Sequence, residues 1–154
     1  MTSVQNQPTE RARQEPFELN RGQCLAFLRS VRVGRVILHG AERGPAAVLP
    51  VNFVLDGEQV VLRTGEGTIL AAARAGAYVT FQADAIEETG GGHSWSVTVA
   101  GPAREATGTV LSWLEGLPLA PIAGGIREHY VLIPAESTEG RLVGARAHAP
   151  GGGR

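Results

Sequence analysis

Six short runs rich in Val, Ile, Leu and aromatic residues, at 33–38, 46–55, 59–64, 78–84, 95–104 and 129–133, constrain this chain more than any other feature. Gly, Pro or Asp bounds each run, so the pattern predicts strands. Asp56-Gly57 between two of them predicts a hairpin. Pro50 has no N–H to give a ladder, which predicts a sheet edge or a bulge there. Helices are few. Residues 20–31 carry Asn20 as a cap, Gln23 at the capping-box position, and Leu19 with Cys24 as a hydrophobic staple. The Ala-rich stretch 67–75 reads as a helix of about two turns. A third helix is expected over 107–116, with Thr107 as its cap and Trp113 on its apolar side. Six mostly antiparallel strands with short helices predict a mainly β chain closed into a small barrel.

A chain of 154 residues is long enough for one domain with a hydrophobic core. Residues 1–16 are polar and Pro-containing and predict a disordered arm, while 146–154 predict a flexible tail. The folded domain is therefore expected at 17–145. A formal net charge of −1 gives no electrostatic footprint for nucleic acid or a membrane surface. No apolar stretch approaches the roughly 20 residues of a membrane span, and the N-terminus lacks the apolar centre of a signal peptide. A soluble cytoplasmic protein is expected. All 14 basic side chains are Arg, a coding bias with no fold content. The single Cys24 excludes an intramolecular disulfide, and the scattered His39, His93, His129 and His148 have no metal-ligand spacing.

Three segments carry chemistry. In 62–70 (LRTGEGTIL), Arg63 and Thr64 end a strand, glycines follow, and Thr68 opens a helix. First-turn N–H groups and a guanidinium make such a junction suited to an anion. The plainer reading is a helix cap beside a solvated strand end. In 90–99 (GGGHSWSVTV), glycines run into an alternating strand with Trp95, which fits either a loose loop before a core ring or a wall beside a planar ligand. In 49–53 (LPVNF), a strand-interior Pro beside Asn leaves polar groups outside the ladder.

In this order, VGRVIL, LPVNFVLDGEQVVLRTGEGTIL, VTFQADAIEE and HSWSVTVAGPA resemble the pyridoxamine 5′-phosphate oxidase-like flavoproteins. The resemblance is to the branch of nitroimidazole-resistance-type and flavin-nucleotide-binding proteins. It implies a six-stranded antiparallel split β-barrel of the FMN-binding type, dimeric, with flavins along the subunit interface. It maps the flavin phosphate onto Arg63, Thr64 and Thr68. The isoalloxazine ring maps onto Pro50, Val51 and Asn52, with Trp95 and Ser96 as a further pair. Many relatives carry Lys after the Ser or Thr at the helix start. Here that position is Ile69, and losing one charge-assisted bond costs about 1.5–3 kcal/mol.

The resemblance implies an FMN-dependent oxidoreductase of a small molecule. A reductase using the deazaflavin coenzyme F-420 and a non-catalytic flavin binder are the alternatives. No side chain identifies itself as a catalytic acid or base, though His93 lies close to Trp95 in the chain. Pyridoxamine phosphate oxidation itself is disfavoured, because the chain beyond Gly144 offers only Arg146 and Arg154 for a substrate phosphate.

Overall fold

The computed structural model describes residues 16–40, 44–89, 92–119 and 129–144. The expected arm, apart from Pro16, and the expected tail at 146–154 lie outside the described residues. In chain order the elements are β1 Phe17–Leu19, α1 Arg21–Arg29, β2 Val33–Leu38, β3 Ala47–Asp56, β4 Gln59–Thr64, α2 Thr68–Arg74, β5 Tyr78–Glu87, β6 His93–Pro102, β7 Arg104–Glu105, α3 Thr109–Leu114, β8 His129–Pro134 and β9 Ser137–Gly144. The strands form one antiparallel sheet in the order β1-β9-β6-β5-β2-β3-β4-β8-β7.

Among the described residues, nine strands therefore replace the six expected. The missed β9 (STEGRLVG) has weak strand composition. It forms because its residues Ser137 to Gly144 pair with β6, while Gly140 to Leu142 also pair with β1. Gly140 is required at its centre, since a Cβ there would lie 2.6 Å from Cys24 Sγ. β7 is cut from the expected run 95–104 where the chain leaves β5 and moves beside β8.

β3 joins the two halves of the sheet. Residues 47–52 pair with β2, and residues 53–56 pair with β4. Pro50 thus sits in the half of β3 that has a ladder on one side, which satisfies the expectation of an edge. The hairpin after β3 forms with Asp56 and Gln59 as its last pair, so the loop is Gly57-Glu58, one residue later than Asp56-Gly57 suggests. Gly57 has φ 59°.

Helix α1 follows its sequence signals. Asn20 accepts from the Gln23 N–H at 2.9 Å, and Gln23 Oε1 accepts from the Asn20 N–H at 2.9 Å, which closes the capping box. Cys24, Leu25 and Leu28 bury its inner stripe. Burial also raises the Cys24 thiol pKa, so the group stays protonated and inert. Helix α3 departs from expectation twice. Its cap is Gly108, with φ 65°, and Trp113 is 65% exposed while Leu114 is buried.

The inner faces of β2, β3, β5 and β6 enclose Val36, Val51, Phe53, Phe81, Trp95 and Val97, against α1, α2 and β8. A second cluster, with Val61, Tyr130, Leu132 and Leu114, covers the other face of β4 and β8. Burial on both faces explains why residues 130–133 read as an unbroken apolar run. No helix among the described residues is long and apolar enough to cross a membrane.

Candidate functional site

Strand alternation divides the candidate residues between two faces. Pro50 pairs with Arg35, Asn52 with Val33, and Asp84 with Ser96. Pro50 and Ser96 are exposed and Asn52 is half-buried, so these three project from the outer face of the sheet. Val51, 8% exposed, and Trp95, 3% exposed, project into the core. The Trp95 ring lies 5.0 Å from that of Phe27. On the outer face Arg35 Nη1 donates to Gln82 Oε1 at 2.8 Å and to Asp84 Oδ1 at 3.0 Å. Asn52 also lines a hollow of about 320 Å³ with Arg32, Phe53, Pro118 and Leu119.

The end of β4 has the same alternation. Thr64, 7% exposed, turns inward, and its hydroxyl donates to the Gly65 carbonyl at 3.3 Å. Arg63 projects to the opposite face, with its guanidinium carbon 5.7 Å from the centre of the Tyr130 ring. The chain then turns through Gly65, Glu66 and Gly67. Gly67 takes φ 155°, a conformation L side chains avoid, and precedes α2 with no side-chain cap. Thr68 is the exposed first residue of α2 and not its cap.

A polar ring beside this turn has no counterpart in the linear pattern. His129 is the cross-strand partner of Thr64. Its Nδ1 lies 2.9 Å from Glu105 Oε1, and its Nε2 lies 3.3 Å from Glu66 Oε1. Arg74 Nε donates to Glu105 Oε2 at 2.9 Å, and Arg74 Nη1 lies 3.5 Å from Glu66 Oε2. Four side chains from β7, β8, α2 and the β4–α2 turn thus close a loop. Separations of up to 63 residues hide it from any local motif. His93 instead pairs with Glu87 across the β5–β6 ladder at 3.2 Å. Among the described residues, no group of three or more His, Cys, Asp and Glu could hold a metal ion.

The hydrogen bond from Arg74 holds the Glu105 carboxyl below its ordinary value of 4.5, and the contact with His129 adds to the effect. A carboxylate lowered on folding contributes stability above its unfolded pKa, and loses it as pH falls through the folded value. Glu105→Gln is therefore expected to be less stable than wild type at neutral pH. Urea unfolding curves should show that gap narrowing below pH 4.5. A gap independent of pH would contradict the pairing.

A family model described as pyridoxamine 5′-phosphate oxidase matches residues 20–141. No curated protein matches the sequence. Solved structures do. A presumed pyridoxamine 5′-phosphate oxidase from Corynebacterium glutamicum aligns with TM-score 0.70 and 26% identity, over 86% of this chain and 96% of that one. The FAD binding protein from Mycobacterium smegmatis aligns with TM-score 0.67 and 27% identity, over 83% and 98%. An FAD-binding protein from Mesorhizobium loti shares the fold at TM-score 0.63 and 23% identity, over 84% and 99%.

Proposed function

The chain belongs to the pyridoxamine 5′-phosphate oxidase family, and from that premise we propose that it binds a flavin and works as a flavin-dependent oxidoreductase on a small molecule. One observation carries the reading. The family match spans an outward Pro50 and Asn52 on β3 together with Arg63 and the glycine turn that ends β4.

In this reading Arg63 and the backbone N–H groups of the turn up to Thr68 hold the flavin phosphate. Pro50 and Asn52 line the ring, with Ser96 on the same outer face. Val51, Thr64 and Trp95 support the site from the core side. A bound flavin supplies transfer of a hydride or an electron pair, and the protein supplies orientation and electrostatics. The outer face also exposes Val33, Val48, Tyr78 and Ile86. Exposed apolar side chains at both ends of a sheet face favour a partner, and a second copy of the chain fits a site shared between two subunits.

FMN is the proposed cofactor. FAD is the second reading, favoured by the Mycobacterium smegmatis protein named for it, at 27% identity. Fluorescence titration with FMN, FAD and coenzyme F-420 separates these. Arg63→Gln is expected to weaken binding of the preferred cofactor by about ten- to a hundredfold, the effect of one charge-assisted hydrogen bond. Unchanged affinity in that variant would remove Arg63 from the phosphate site. Binding of F-420 alone would make the protein a deazaflavin reductase instead.

A further inference from the structure

An imidazole between two carboxylates satisfies both only when both its nitrogens carry hydrogen. His129 is in that position, with Glu105 at Nδ1 and Glu66 at Nε2. When the ring is neutral, one nitrogen presents a lone pair to a carboxylate. The side that gives way follows from burial and distance. The Glu105 side chain is 21% exposed, lies at 2.9 Å and is also held by Arg74 at 2.9 Å, whereas the Glu66 side chain is 74% exposed, lies at 3.3 Å and meets Arg74 at the longer distance of 3.5 Å. Glu66 is the central residue of the Gly65–Gly67 turn, so its release from His129 loosens the turn and leaves the 3.5 Å contact with Arg74 to hold it.

We propose that His129 is a proton-operated positioning residue. Through Glu105 and Arg74 on one side and Glu66 on the other, it latches the β4–α2 turn when protonated and loosens it when neutral. The functional consequence rests on the reading above, in which this turn holds the flavin phosphate. Protonated, the ring of Glu66, Glu105, Arg74 and His129 is neutral overall. Deprotonated, it carries one net negative charge beside a phosphate and leaves Glu66 with the longer, 3.5 Å contact to Arg74. Both changes oppose binding of the anionic end of the cofactor.

Among the described residues, the other charged or titratable groups on the packed elements are few. On β4, Arg63 lies against the ring of Tyr130 from β8. On β7, the exposed Arg104 alternates with Glu105 and so projects to the opposite face. Helix α3 has no ionisable side chain within Thr109–Leu114. His129 is thus the one imidazole of this ring, set between its two carboxylates.

The test uses the full chain, titrated with FMN and with riboflavin, which lacks the phosphate, from pH 5.5 to 8.5. A phosphate monoester also titrates near pH 6, so wild type is compared with His129→Gln throughout. Wild-type affinity for FMN is expected to rise on acidification by about fivefold more than that of the variant, as expected for one unit charge nearby in a partly solvated setting. Riboflavin is expected to show no such difference. A second readout needs no flavin. Amide exchange at Gly65, Glu66 and Gly67, corrected for its intrinsic pH dependence, should be slower in wild type than in His129→Gln at low pH and equal at high pH. If neither flavin binds but the amides respond, the cofactor reading fails and the latch stands. If the amide rates, or the FMN affinities where FMN binds, follow the same pH course in both proteins, the latch is overturned.

Discussion

Gly101→Ala is expected to lower stability by about 3 kcal/mol or more, at the upper end of the range for overpacking. The cause is a close approach of two backbones. A Cβ at Gly101 in β6 would run into the carbonyl oxygen of Pro134 in β8, with the Pro134 carbonyl carbon at 3.1 Å. That oxygen is itself fixed, since it accepts from the Glu136 N–H at 2.8 Å, and Ala135 N–H donates to the Glu58 carbonyl at 2.9 Å. Neither strand can retreat cheaply. Gly101 is also paired with Val79 on its other side. β6 and β8 are not neighbours in the ladder order, so their contact is where the curled sheet closes on itself. For a chain of this size, the loss corresponds to a melting temperature lower by about 10 °C. Thr98→Ala, on the outer face of the same strand, serves as a control and should change the melting temperature little. A Gly101→Ala protein that melts with the wild type would mean that the two halves do not meet at this point.

The second large effect distinguishes two roles for one residue. Trp95→Ala should cost about 3–5 kcal/mol, the range for removing a large buried aromatic side chain, because the indole is 3% exposed and packed on Phe27. Trp95→Phe keeps most of that volume and should retain much of the lost stability. If Trp95 acts through the core, the Phe variant should also bind flavin with nearly wild-type affinity, and the Ala variant should bind normally wherever it remains folded. Chemical unfolding and a flavin titration on the same samples give both numbers. A Phe variant that is stable but has lost flavin binding would place the indole at the ligand after all.

Local features of the chain were legible in proportion to how local their physics is. The capping box of Asn20 and Gln23 needs residues three apart, and it forms as read. Strands β2, β4 and β8 are dense in branched and aromatic residues, and their centres were readable. β9 was not, because Glu139, Gly140 and Arg141 have poor strand propensity and pairing with β6 and β1 decides the matter. A retrospective signal exists. Gly140 and Leu142 alternate as buried residues with the exposed Glu139, Arg141 and Val143. Trp113 was misplaced because a six-residue helix has too little periodicity to fix its inner face.

The candidate site divides along the same line. The family match was legible from the order of short segments, and Arg63, the glycine turn and Thr68 lie consecutively in the chain. Which of Pro50, Val51, Asn52, Trp95 and Ser96 face outward depends on strand register, and a shift of one residue would exchange the two sets. The ring of Glu66, Arg74, Glu105 and His129 lies further still from the linear pattern, since it draws on four separate segments. Elements whose energetics are local, namely the capped helix, the β-rich runs, the hairpin and the glycine turn, follow from neighbouring residues alone. The inward and outward faces, the closure at Gly101 and the partners of His129 follow from the assembled sheet and from nothing local. These depend on contacts between distant residues, which exist only once the sheet has curled.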